Sequence, residues 1–261
     1  MNTDERENQT VRRVTWLALG RKAWCETRSR FFVSLGLLLI IVGYSVLNGP
    51  QFLEGIAINH PDEPLSYSGY VWNSLFDFYL QGFWIACAFI LGLGGLWRER
   101  AIGVAVFTLS FPVRRKDLVV IRALVAISEA FLIALVPCAL IPTFSWITGY
   151  HYPVAQSIIF AAFLTLGGLV FVGLSVFLSS LFDGEYTAFV LGMCAIGVTF
   201  FTFKARSLHR WSIFDVMSGA RHITENTHLV TSIPWLGLTS SALIATLLIS
   251  ASVYITRAHD F

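Results

Sequence analysis

Residues 130–182 form an uninterrupted run of 53 residues without one charged side chain. Such a run is too apolar to face water. It is also too long for one membrane crossing, because a helix spans a ~30 Å hydrocarbon layer with ~20 residues at ~1.5 Å per residue. Turn-forming residues at 149–153 (Gly-Tyr-His-Tyr-Pro) divide the run. The sequence therefore predicts two consecutive spans joined by a short hairpin.

The composition extends this prediction to the whole chain. Hydrophobic residues make up 56% of it and charged residues 13%, with a mean hydropathy of +0.68; soluble domains carry about 25% charged residues. Six segments are long and apolar enough to cross a membrane: about 31–53, 78–97, 118–147, 154–182, 186–203 and 233–256. We expect an all-α, polytopic membrane protein in which residues 31–261 form a single six-span domain.

The charge distribution predicts the orientation. Seven Lys and Arg residues precede the first span and six lie between residues 98 and 122, whereas residues 49–77 carry four acids and no base. By the positive-inside rule both termini are cytoplasmic. The segment 204–232 has four bases on the outer side and departs from the rule; its structure and role stay open.

Residues 1–30 are polar and rich in helix formers, with Trp16 and Trp24 suited to the headgroup boundary. We expect an N-terminal helix in the cytoplasm or at the membrane interface. A helix that lies on the membrane and one that docks on a partner are equally compatible with its charge pattern.

Several chemistries lack their motifs. The chain contains no G-x-x-x-x-G-K-[ST], no H-E-x-x-H and no paired cysteines, and its net charge is +2. We therefore expect no ATP-binding motif, no metal site, no bound cofactor and no catalytic residue on this chain, and no nucleic-acid partner. An intramembrane enzyme would need a catalytic pair that the apolar spans do not supply.

The connector between spans two and three is the most informative segment. It carries a short apolar stretch, 101–109, between two basic clusters and is stopped by Pro112. This pattern predicts a short surface helix that presents an apolar face to a partner. The alternative is an ordinary basic loop that only fixes the topology.

The connector resembles the signature of type-2 ABC transporter permeases, E-x-x-x-G followed by L-S-x-P-V-x-R and a basic residue that enters the next span. The matching residues are Glu99, Gly103, Leu109, Pro112, Arg114 and Arg122. The six-span plan, the basic N-terminal helix and the polar outer segment before the last span are similar as well. The family often has lysine where this chain has Arg122, and the charged segment 204–221 leaves the outer gate in doubt.

The resemblance implies a permease subunit of an ATP-driven transporter in a bacterial cytoplasmic (inner) membrane, usually an exporter, for a hydrophobic or amphipathic substrate. A second permease chain, identical or related, would pair with it in the bilayer. ATP and magnesium would bind to a separate ABC ATPase subunit. The coupling surface for that ATPase would comprise Glu99, Gly103, Leu109, Pro112 and Arg114. The rival hypothesis is a six-span membrane anchor or assembly factor that transports nothing.

Glu129 is the one charge placed deep within a predicted span, about 18 Å after Asp117. An ionisable group there is costly and points to a functional site. It either lies on the substrate path or is a hydrogen-bonded carboxyl that fastens neighbouring spans. Small residues on spans four and five, among them Gly168 and Gly192, predict close helix approach within one subunit.

Overall fold

The computed structural model describes residues 3–59, 66–94, 115–182, 184–204, 212–224 and 229–258. Eight helical elements fill these ranges, and their order is α1 (Thr3–Leu47), α2 (Gly49–Asn59), α3 (Tyr67–Gly92), α4 (Arg115–Ile147), α5 (Val154–Leu181), α6 (Glu185–Lys204), α7 (Ile213–Ser218) and α8 (Trp235–Ala258). We call the side where residues 95–114 join α3 to α4 the connector side, and the opposite one the far side.

Six of these helices are long and apolar enough to cross a membrane: α1, α3, α4, α5, α6 and α8. This confirms the prediction of an all-helical, multi-pass membrane chain. The predicted hairpin between the third and fourth spans is also present, since α4 ends at Ile147 and α5 begins at Val154. Gly149 adopts a φ of +81°, which favours glycine, and the Tyr150 amide donates to the Ser145 carbonyl at 3.0 Å.

The first span differs from the predicted bounds. Helix α1 is continuous from Thr3 to Leu47 and does not break near residue 30, so a separate N-terminal helix is not confirmed. Its membrane-compatible part is Trp16–Leu47 rather than 31–53. No glycine or proline lies near residue 30 to stop the helix, whereas the Asn-Gly-Pro turn at 48–50 ends it and starts α2.

The second span begins eleven residues before its predicted start at residue 78. Ser66 caps α3, because its hydroxyl accepts a 3.1 Å hydrogen bond from the Gly69 amide. The helix then passes through a π-helical stretch, Trp72–Tyr79, and continues to Gly92. Asp77 lies within that stretch, so a single charge does not mark the membrane boundary here.

Glycines bring the central helices into close contact. A side chain at Gly168, near the middle of α5, would collide with the ring of Trp84 on α3, which is fully buried. A Cβ at Gly173 would come within 3.0 Å of Ala245 on α8, and one at Gly192 on α6 would meet Phe89. Gly168, Gly173 and Gly192 therefore serve packing within one chain.

Helix α7 lies inside the bundle, although the sequence places residues 204–232 in an outer segment. The Phe214 ring is 5.8 Å from that of Phe171, roughly 25 Å along α5 from its far-side start. The side-chain amide of Gln81 on α3 donates to the Phe214 carbonyl at 2.7 Å. Met217 is fully buried against Gly167 and Gly168. The chain thus re-enters the bundle from the far side.

Helices α6 and α8 form the least covered part of the bundle. Only 17% of the α6 span and 22% of the α8 span are buried, against 67% of the α5 span. Large apolar side chains on α6 and α8, such as Phe201 and Leu247, are exposed. These faces suit contact with lipid or with another membrane chain.

We predict that Gly168→Val destabilises the fold by about 1–3 kcal/mol, the usual cost of overpacking, because the added methyl groups must displace Trp84 and Met217. The loss of stability is measured as the change in melting temperature in detergent, with exposure of the buried Cys138 thiol as the signal of unfolding. The control is Gly197→Val on α6, where a Cβ meets nothing within 4 Å. Equal melting temperatures for the two variants would contradict the proposed close packing.

Candidate functional site

The residues predicted to contact an ATPase lie outside the described part of the chain. They are Glu99, Gly103, Leu109, Pro112 and Arg114. The structure does describe the two ends of the segment that contains them, Gly94 after α3 and Arg115 at the start of α4. The polar groups around these ends, together with Glu129, form the candidate site.

Gly94 is held from both sides by Ser179 of α5. The Gly94 amide donates to the Ser179 hydroxyl at 3.1 Å, and that hydroxyl donates to the Gly94 carbonyl at 2.6 Å. Gly94 has a φ of +119°, which residues with a side chain rarely adopt. The first residue of the connector is therefore fixed in position and conformation by α5.

Arg30 of α1 binds the last carbonyls of α3. Its Nη1 donates to the Leu93 carbonyl at 3.2 Å and to the Ile90 carbonyl at 3.4 Å. Carbonyls at a helix C-terminus have no partner within the helix and carry partial negative charge, so a guanidinium satisfies them well. Arg30 thus joins α1 to the connector end of α3.

Arg122 of α4 completes the contacts at this end of the bundle. Its guanidinium forms a charge-assisted hydrogen bond with Glu26 of α1, which also lies 3.8 Å from Lys22. A Cβ added to Gly94 would lie 3.7 Å from Arg122 Nη2, so the guanidinium lies against the start of the connector. Arg122 therefore joins α4 to the first helix and to the start of the connector.

Glu129 is 1% exposed and faces α1. The Thr27 hydroxyl forms a short hydrogen bond with Glu129 Oε1, and Arg30 is close enough to act on the carboxyl electrostatically. Glu129 therefore joins α4 to α1 through this hydrogen bond, which uses one of its two carboxyl oxygens.

The second carboxyl oxygen, Oε2, is buried and has no hydrogen-bond partner among the described residues. The Thr27 hydroxyl has a single proton and also lies 3.1 Å from the Ala23 carbonyl. If Thr27 donates to Ala23, Glu129 must be protonated on Oε1 and donate to Thr27. In both of these arrangements Oε2 is an unsatisfied acceptor, and a proton on Oε2 itself would make it an unsatisfied donor; each is costly in an apolar region.

The length of α4 places Glu129 away from the bilayer centre. Helix α4 has 33 residues and is longer than a ~30 Å hydrocarbon layer requires. Counted from Ile147 at the far-side hairpin, Glu129 lies roughly 27 Å down the helix axis. It is therefore nearer the connector-side boundary than the count from Asp117 suggests, and close in depth to Arg30 and Arg122.

Other polar groups are buried on the far side. The hydroxyls of Tyr152, Ser157 and Ser218 are buried without a hydrogen-bond partner in the described ranges. Burial raises the pKa of the Tyr152 phenol, which lies in the hairpin outside the spans, so the group stays protonated. In the part of the chain that the structure describes, no three His, Cys, Asp or Glu side chains lie close enough together to hold a metal ion.

Comparison with known proteins finds no matching family model, no matching curated protein and no matching solved structure. The function is therefore inferred from the contacts within the chain.

The sequence indicated Glu129 and Arg122 but not their partners. Glu26, Thr27 and Arg30 lie on the first helix, and a single sequence does not reveal which face of one helix meets which face of another. One signal was available, since Arg30 follows Thr27 by three residues and Glu26 by four, the spacings at which side chains are neighbours on a helix surface. The Ser179 contact to Gly94 had no such signal.

We predict that Thr27→Val lowers stability by about 1–3 kcal/mol, because it leaves Glu129 Oε1 without its partner. Glu129→Leu alone should also destabilise, whereas the double variant should lose less than the sum of the two. A double-mutant cycle of detergent unfolding measures the coupling. Strict additivity would show that the Thr27 and Glu129 side chains do not interact.

Proposed function

We propose that the chain is the permease subunit of an ATP-driven ABC transporter, most simply an exporter of a hydrophobic or amphipathic substrate. It works in the cytoplasmic membrane with a separate ABC ATPase subunit and a second permease chain. The six-helix architecture is compatible with this proposal. The residues of the connector that resemble the permease signature point to an ABC transporter in particular.

The observation that carries the proposal is the set of contacts at the start of the connector. Ser179 of α5 binds Gly94, Arg30 of α1 binds the carbonyls before it, and Arg122 of α4 lies against it. Three spans thus meet one end of the segment that bears the signature. A loop that only fixes topology needs basic residues but no such contacts.

These contacts supply a route for mechanical coupling. A force applied to the connector by an ATPase would reach α1 through Arg30, α5 through Ser179 and α4 through the start of that helix. Rigid helices joined by hydrogen bonds and ion pairs transmit displacements along their length. The movement would pass along the full bundle, including α7 packed against α5 on the far side.

The exposed faces of α6 and α8 support the pairing with a second membrane chain. Their low burial leaves apolar area that lipid or a second permease chain can cover. The anchor hypothesis explains the same faces by contact with a different complex. The presence of an ATPase partner therefore distinguishes the two hypotheses, whereas the exposure of the apolar faces of α6 and α8 does not.

We predict that both termini and the connector are cytoplasmic. A cysteine introduced at Asp62 should react with an impermeant thiol reagent in intact cells, and one at Arg114 should react only after the membrane is opened. The native Cys25 and Cys194 are exposed and are first replaced by serine. The reverse labelling pattern would mean that the charge distribution gives the wrong orientation.

We predict that Gly103→Trp and Leu109→Asp each abolish ATPase coupling. The first blocks close docking of the connector, and the second places an unpaired charge in an apolar contact, which costs roughly 2–5 kcal/mol, or at least about 30-fold in affinity. Substrate-stimulated ATP hydrolysis and co-purification of the ATPase from native membranes are the measurements. The ATPase is identified by a P-loop lysine whose substitution removes the hydrolysis.

The matched control is Gly82→Trp, the same change at an open position on α3, away from the exposed faces of α6 and α8. It should insert and co-purify like the wild-type chain. If both connector variants insert normally and keep full coupling, the connector is a topological loop and the membrane-anchor hypothesis is favoured.

A further inference from the structure

A groove of about 410 Å³ lies between α1 and α4 on the connector side. Small-molecule sites usually occupy ~300–1,000 Å³, so the groove is large enough for a compact ligand. The residues that matter for its chemistry are Trp16, Trp24, Ile121, Leu124, Leu132 and Glu129. Leu124 is 51% exposed, so the groove opens sideways towards the lipid.

Glu129 gives this apolar groove its one strong polar feature. Ser128 has the one hydroxyl among the lining residues, and this hydroxyl donates to the Leu124 carbonyl at 2.8 Å. Glu129 Oε2 is buried and has no partner in the part of the chain that the structure describes. Oε2 accepts a hydrogen bond when the carboxyl is ionised and when its proton is on Oε1, and in both cases a donor from outside the chain would satisfy it.

The position of Glu129 restricts the form of that donor. Along α4, Glu129 lies deeper in the membrane than Ile121 and Leu124, at the inner part of the groove. A phospholipid that enters tail first would bring methylene groups to Oε2 and leave it unsatisfied. A compact apolar molecule with a hydroxyl or amine on its deep end satisfies it and fills the space between the two tryptophans and α4.

We propose that this groove binds a compact, mainly apolar solute whose hydroxyl or amine donates a hydrogen bond to Glu129 Oε2. The ligand enters sideways from the connector-side leaflet. The binding site stands on its own geometry, whereas its use as the entry site for an exported substrate rests on the proposed function. Thr27 orients the carboxyl by holding Oε1. Oε2 is buried in the unliganded chain, so the ligand reaches it once the carboxyl turns this oxygen towards the groove.

Bromine quenching of tryptophan fluorescence tests the proposal, since Trp16 and Trp24 line the groove. The probes are 3-bromo-1-adamantanol and its methyl ether, which share an apolar body and differ in the donor. Binding is measured on the full chain in phosphatidylcholine nanodiscs. We expect the alcohol to quench saturably, with a Kd lower than that of the ether by about five-fold, the worth of one neutral hydrogen bond.

Variants locate the effect. Glu129→Leu should raise the Kd of the alcohol to that of the ether, whereas Glu129→Gln should keep the difference because its amide oxygen still accepts. Replacing Trp16 and Trp24 by phenylalanine should remove the saturable quenching, although six tryptophans remain of the eight. Glu54→Leu, the same change on the exposed surface of α2, should alter neither Kd.

Equal affinities of wild-type protein for the alcohol and the ether would overturn the proposal, and this comparison needs no variant to fold. Quenching of the two groove tryptophans by brominated-chain phosphatidylcholine that the alcohol does not displace would show a lipid chain in the groove and would also overturn it. Donor-dependent binding without any coupled ATPase would remove the transporter proposal and leave the site. Coupled transport without donor-dependent binding would remove the proposed site and leave the transporter proposal.

Discussion

Lipid offers no hydrogen bonds, and every polar group that enters it must find a partner within the chain. This constraint accounts for the helices themselves and for most of the polar contacts between them. The indole of Trp84 donates to the Ala130 carbonyl at 3.1 Å, and the amide of Gln81 reaches the Phe214 carbonyl. Each of these contacts joins two elements that are distant in sequence. The positions where a partner is missing, above all Glu129 Oε2, are therefore informative.

Close packing through glycine is the second determinant of the architecture. Apolar side chains gain little from meeting one another in lipid, because lipid tails are equally apolar, so helices associate where their surfaces fit closely. Helix α5 has Gly167, Gly168 and Gly173 along its length, and they receive Met217, Trp84 and Ala245 from three other helices. This explains why α5 is the most buried span and why the re-entrant α7 can lie against it at mid-depth.

The sequence predicts the elements of this fold better than their contacts. Length and hydropathy are local properties, so six spans and the hairpin at Gly149 could be read directly. The expected start of the second span, residue 78, differs from the observed start of α3, because Ser66 caps the helix eleven residues earlier. The sequence does not predict α7, because the four bases of residues 204–232 are typical of a solvated segment. Glu129 was found by its charge alone, but Thr27 and the groove depend on how α1 meets α4, which a single sequence does not encode locally.

The candidate site gains its significance from the overlap of two features on one pair of helices. On α1, Arg30 binds the Leu93 carbonyl just before the connector, and Glu26 pairs with Arg122 beside it. Thr27, on the adjoining face of α1, holds Glu129. On α4, Arg122 and Glu129 lie two turns apart, roughly 10 Å, on the face towards α1. Any shift of α1 against α4 must therefore alter the contacts of the connector and the shape of the groove together. A ligand held by Glu129 would favour one arrangement of the two helices, and binding energy in the groove would thereby bias the position of the connector.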